Sequence, residues 1–226
     1  MTTMQERIKQ DVVDQLAWDV RVDASDVKVE VDENRVHLTG EVPWFGARLA
    51  AEDDAWKIAG VTDVNNKLEV IPEISEAALD DEQLRRNIEL AFVNSPLLAT
   101  QDIAVSVEDG EVTLDGTVNS YWQKDMAEES AFNQLGSIAI HNRLTIVPTK
   151  KTGDEAIAHS ITAALERNLL VDIDKIEMKV EDGIVILDGI VPDYLTMREI
   201  RSVVSRTPGV VGIQNNMILQ QEPTMP

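Results

Sequence analysis

Apolar residues recur along this chain in two alternating rhythms. In residues 6–18, Ile8, Val12, Val13 and Leu16 fall at helical spacing, which predicts a helix with one apolar face. The period then changes to two. Val27, Val29 and Val31 alternate, and after Asp32-Glu33-Asn34 so do Val36, Leu38 and Val42, which reads as a hairpin. Residues 45–59 return to helical spacing through Leu49, Ala50, Ala55 and Ile58, and Gly60 is placed to end that helix in the left-handed region. A last strand is predicted from Val64 to Ile71.

The same order occurs three times. Gly40, Gly116 and Gly189 end equivalent strand segments at offsets of 76 and 73 residues. The same offsets align Ile8, Leu84 and Ile157, then Phe45, Tyr121 and Tyr194, then Gly60, Gly136 and Gly209, and finally Asn66, Asn142 and Asn215. In the second and third copies Asp109-Gly110 and Asp182-Gly183 occupy the hairpin turn, where Asp-Gly supplies the positive φ of a tight turn. The prediction is an α+β fold of three tandem α-β-β-α-β modules, residues 1–75, 76–150 and 151–226. Each is a three-stranded mixed sheet with two helices on one face, because a right-handed helical crossover places the second and third strands parallel. The other face is left to solvent or to a sibling module. Glu73 to Asp81 reads as an acidic stretch that extends the next helix, and Thr149 to Asp154 as a loop. Links this short predict a compact or bent array.

The Gly-x-Val hairpin ending, the α-β-β-α-β order, Pro208-Gly209-Val210 and the Asn of the last strand resemble the BON family over residues 5–220. The resemblance implies an envelope- or stress-linked module, associated with osmotic stress, that contacts phospholipid or protein and has no catalytic residues. Some cytoplasmic members resemble potassium-binding stress proteins.

Composition narrows the partners. The formal charge of −21 repels phosphate backbones, so nucleic acid is excluded as a partner. Residues 150–226, with 8 basic and 12 acidic groups, are the least acidic third. The absence of cysteine excludes disulfides, thiolate zinc sites and a cysteine nucleophile. No run of apolar residues predicts a transmembrane segment, and no signal peptide is visible. The chain as written therefore predicts a cytoplasmic protein, or a periplasmic one if a leader has been trimmed.

Candidate chemistry is sparse. His37, His141 and His159 do not align between copies, and neither a phosphate loop nor a nucleophile elbow occurs, so no cofactor, metal site or catalysis is expected. The aromatic at 45, 121 and 194 is expected to pack the second-helix start onto its sheet. Trp44 and Trp122 beside it offer rings to a partner. With Phe45, Tyr121, Tyr194 and the basic Arg198 and Arg201, they form the candidate interaction surface, while Trp56 is expected in the core. The repeated glycines and Asn66, Asn142 and Asn215 are read as structural, each Asn tying its strand to the preceding loop. The functional expectation is a binding or scaffolding protein that meets phospholipid head groups, envelope proteins or other protein partners. The alternative is a soluble potassium- or calcium-responsive sensor or interaction scaffold.

Overall fold

A computed structural model describes residues 4–71, 80–99 and 101–220. The first module runs α1 (Met4–Trp18), β1 (Val27–Asp32), β2 (Arg35–Val42), α2 (Phe45–Trp56) and β3 (Asp63–Val70). The second runs α3 (Asp81–Asn94), β4 (Asp102–Glu108), β5 (Glu111–Val118), α4 (Tyr121–Phe132) and a last strand split into β6 (Ala139–Asn142) and β7 (Thr145–Ile146). The third runs α5 (Asp154–Leu165), β8 (Ile176–Glu181), β9 (Ile184–Val191), α6 (Tyr194–Ser205) and β10 (Gly212–Leu219). The α+β order read from the sequence is therefore present in all three modules. The stretch before α3 that was expected to extend that helix lies largely outside the described residues.

In each sheet the second strand is central, antiparallel to the first and parallel to the last. Parity decides what the helices cover. In the first module Val29, Val36, Leu38, Val42 and Leu68 face inward and meet Ile8, Val12 and Leu16 of α1 and Ala47, Ala51 and Ala55 of α2. Each large side chain buried there contributes about 1.5–3 kcal/mol. The second and third cores repeat the pattern around Leu114 and Leu187.

Two glycine positions are dictated by backbone geometry. Gly40 has φ +112°, and a Cβ there would lie 2.0 Å from the carbonyl oxygen of Asp26; Gly116 and Gly189 make the same approach to the carbonyl oxygens of Asp102 and Lys175. Gly60, Gly136 and Gly209, with φ of +92°, +99° and +97°, turn the chain out of each second helix. The hairpin turns also carry a fastening invisible in the hydrophobic pattern. Asp81 at the start of α3 accepts from the backbone N–H groups of Asp109 and Gly110, both at 2.9 Å, and Asp154 does the same for Asp182 and Gly183.

Candidate interaction surfaces

The recurring aromatic does not belong to the core of its own module. Small residues close α2 and α4 onto their sheets, Ala47, Ala50, Ala51 and Ala55 in one and Ala127 and Ala131 in the other, which leaves the ring at the helix start free to reach sideways. Phe45, the first residue of α2, meets Phe132, the last of α4, edge to face with centroids 6.4 Å apart. Its N–H also donates to the carbonyl of Ser137 at 3.1 Å. Tyr121, the first residue of α4, packs against the third core. Tyr194, the first residue of α6, stacks on Trp56, the last of α2, at 5.2 Å and 12°. The contacts run from first module to second, second to third and third back to first, a head-to-tail pattern that closes into a ring. Each aromatic pair contributes about 0.5–1.5 kcal/mol beyond its buried area.

Charged groups follow the same seams. Arg198 on α6 donates to Asp53 on α2 at 3.0 Å, and Tyr194 Oη to the same carboxylate at 3.5 Å. Burial, and then the Asp53 charge, push the Tyr194 phenol above its usual value. Arg201 lies 4.0 Å from Asp125 of α4, whose carboxyl is raised by burial. Asp53 also holds Lys57 at 2.7 Å, and Lys57 donates to Asp54 at 2.9 Å.

Asp54 is fully buried in the first core, and its Oδ2 accepts from no donor. Desolvation holds its carboxyl above the ordinary range against the opposing pull of Lys57, and the neighbouring Asp19 adds to the rise. Asp19 moves the other way, well below that range, because the Arg21 guanidinium donates to it. Asp54 aligns with Ser130 and Val203, so this buried acid pair belongs to the first module alone.

Asn66 and Asn142 are tied to the second helix instead of the preceding loop. Asn66 Nδ2 donates to the carbonyl of Arg48 at 2.9 Å and to Glu52 Oε2 at 3.1 Å, and Asn142 does so to Lys124 and Glu128. Both accept from the N–H two residues on. Asn215 keeps only that last bond, because Arg201 stands where the other modules have Glu52 and Glu128.

Three segments of the chain, residues 5–72, 80–148 and 153–221, match the BON domain, and each coincides with one α-β-β-α-β module. The chain belongs to the BON domain family. It is 29% identical over 131 residues to Osmotically-inducible protein Y of Escherichia coli (strain K12), a match spanning 54% of this chain and 63% of that protein. Among solved structures, CdsD, a structural protein of the type III secretion system of Chlamydia trachomatis, aligns over 93% of this chain and 91% of its own at 12% identity, with a TM-score of 0.27. The periplasmic domain of the inner-membrane protein PrgH of S. typhimurium aligns over 86% of this chain and 99% of its own at 12% identity and a TM-score of 0.23. Scores this low carry nothing over to the present protein.

The three BON domains place the remaining predicted residues unevenly. Trp44 is half-buried, packs on the first core and lies over Gly46, where a Cβ would come 2.5 Å from its ring. Trp122 is also half-buried, while Trp56 packs on the first core and still reaches the third BON domain. Phe45, Tyr121, Tyr194, Arg198 and Arg201 all meet a neighbouring BON domain. Trp18, at 76% exposure, is the most open of the tryptophans. Of the histidines, His37 faces Asn65 on the outer sheet, His141 pairs with Glu111 at 3.1 Å, and His159 is exposed on α5. Among the described residues no group of three or more His, Cys, Asp or Glu is arranged to hold a metal ion, and no helix is long and apolar enough to cross a membrane.

The outward sheet faces are where the BON domains differ most. The first shows Arg35, His37, Glu41 and Glu69, and the second Glu111, Thr113, Thr117 and Thr145. The third shows Ile184, Ile186, Ile190 and Ile218 in the same register. What the three copies share does not mark this face. The signal was nevertheless present. Val36-His-Leu-Thr and Val112-Thr-Leu-Asp alternate cleanly, whereas Ile184-Val-Ile-Leu is apolar on both parities.

Proposed function

We propose that this protein is a non-enzymatic binding scaffold linked to osmotic or envelope stress, in which a closed ring of three BON domains presents outward faces to partner proteins. The observation that carries this reading is the placement of the recurring aromatic. Phe45, Tyr121 and Tyr194 hold the BON domains to one another, so the array meets a partner as one body with fixed spacing between its outer faces. The stress link rests on the family and on the name of the Escherichia coli relative.

Protein partners fit better than phospholipid head groups. Arg198 and Arg201, the basic pair on α6, are held by Asp53 and Asp125, and a chain of charge −21 is repelled by anionic lipid. Sedimentation with phosphatidylglycerol vesicles at low salt is expected to leave the protein in the supernatant. Co-sedimentation that salt reverses would overturn the protein-partner reading. Abundance of the protein after a hyperosmotic shift tests the stress link: a rise supports it, and an unchanged level removes it.

A further inference from the structure

The outer sheet face of the third BON domain is not built for solvent. Ile184, Ile190 and Ile218 are 43%, 51% and 60% exposed, and Ile186 is half-buried beside them. Ile190 and Ile218 are register partners on the parallel strands β9 and β10, so their side chains form an apolar pair across the two strands, and Asp188 with Asn216 separates that pair from Ile184 and Ile186. The same positions in the other two BON domains carry polar side chains, which is what a solvated sheet face requires. Among the described residues the inter-domain contacts run through the second helices and leave this face uncovered.

The charges on this face say what it fits. Glu177 on β8 and Asp188 on β9 are register partners, two carboxylates directly opposite one another and framed by Ile186 and Ile190. Like charges so placed are destabilising in the absence of a cation. The cations nearby are engaged elsewhere: Lys179 pairs with Glu181, and Lys175 with Asp172. Neither Glu177 nor Asp188 forms an ion pair among the described residues, and Asp188 accepts only from Asn216, at 3.0 Å. The equivalent pairs are Lys28 with Thr39 and Ala104 with Asp115, so the opposed acids occur in the third BON domain alone.

Resting on the binding-scaffold reading, we infer that this face is the docking site for a cationic amphipathic segment of a partner protein, one that sets an Arg or Lys between apolar side chains. The base lies over Glu177 and Asp188, and the apolar groups lie on Ile186, Ile190 and Ile218. A second copy of this chain does not complement the face, since it would bring the same two acids against themselves under a charge of −21.

The test uses the full chain and two labelled peptides, one of repeated Ile-Ser-Arg-Ser units and one of the same length and charge with Ser in place of Ile, followed by fluorescence anisotropy. The first is expected to bind at least about tenfold more tightly. Ile190→Ser with Ile218→Ser, and separately Glu177→Gln with Asp188→Asn, are each expected to remove that advantage. Glu41→Ser with Glu69→Ser on the first BON domain is expected to leave it intact. Equal binding of the two peptides, or unchanged binding by the Ile190/Ile218 variant, overturns the docking site but not the scaffold reading, which fails instead by co-sedimentation with vesicles. Concentration-dependent dimerisation lost in the Ile190/Ile218 variant would assign the face to a second copy and overturn the proposal as well.

Discussion

The first and third BON domains share a fold and meet in space, yet they place polarity in opposite ways. The first buries a carboxylate, Asp54, and shows solvent a sheet face of Arg35, His37, Glu41 and Glu69. The third has Val203 where Asp54 stands and shows isoleucines where those charges stand. Both keep the inner-face aliphatics and the glycines at 40 and 189 and at 60 and 209. The fold therefore depends on the inward parity and a few backbone positions, and tolerates either chemistry elsewhere. What differs is what each BON domain can do.

The widest break in that comparison comes from the shared positions. Leu38 and Leu187 are equivalent and both fully buried, so Leu38→Ala and Leu187→Ala are each expected to cost about 2–5 kcal/mol, read by denaturant unfolding. A much smaller loss at either site would mean that the two cores are not equivalent. In a domain of this size such a loss is most of the stability.

Asp54 separates the two cores with a smaller effect and a defined sign. An acid raised by burial binds its proton more tightly in the folded state, so the stability it supports is present at low pH. It is lost as pH rises through the usual carboxylate range toward the raised value. Asp19, held low by Arg21, acts oppositely and loses its contribution as pH falls below that range. Asp54→Asn keeps an acceptor for Lys57 and removes the buried group that ionises at high pH, and is expected to gain about 1–2 kcal/mol over wild type at pH 8 and little at pH 4. Parallel stability curves for the two proteins would contradict this account.

Most of the fold was legible because a period of two and a helical period leave different marks, and three copies repeat them. Legibility ended where a side chain acts between domains. The aromatic at 45, 121 and 194 was visible as a repeat, but its sequence cannot say whether a ring folds onto its own sheet or the next domain. The small buried residues Ala47, Ala51 and Ala55 were the hint that α2 already sits close to its sheet. Asp54 was also legible in part, since it shares a helical face with Ala47, Ala50 and Ala51. The replacement of Glu52 and Glu128 by Arg201, which sets Asn215 apart from Asn66 and Asn142, was legible in the repeat, whereas the pairing of Arg201 with Asp125 needed the structure.

The gentlest probe is the outer face itself. Ile190→Ser with Ile218→Ser changes no buried group, so stability is expected to stay within about 0.5 kcal/mol of wild type per site while peptide binding is lost. A large loss of stability would instead make the face part of the packing.

The ring is the central claim, and the lack of native cysteine allows it to be measured directly. Lys28→Cys, Ala104→Cys and Glu177→Cys are equivalent exposed positions on the three outer sheet faces, and pairwise spin labels report the three inter-domain distances. A closed ring predicts three narrow and similar distributions, with the one between residues 28 and 177 broadening when Tyr194 is changed to Ala. A broad distribution between 28 and 177 in the protein with native Tyr194, longer than the other two and indifferent to Tyr194→Ala, would show an open string of domains and contradict the account.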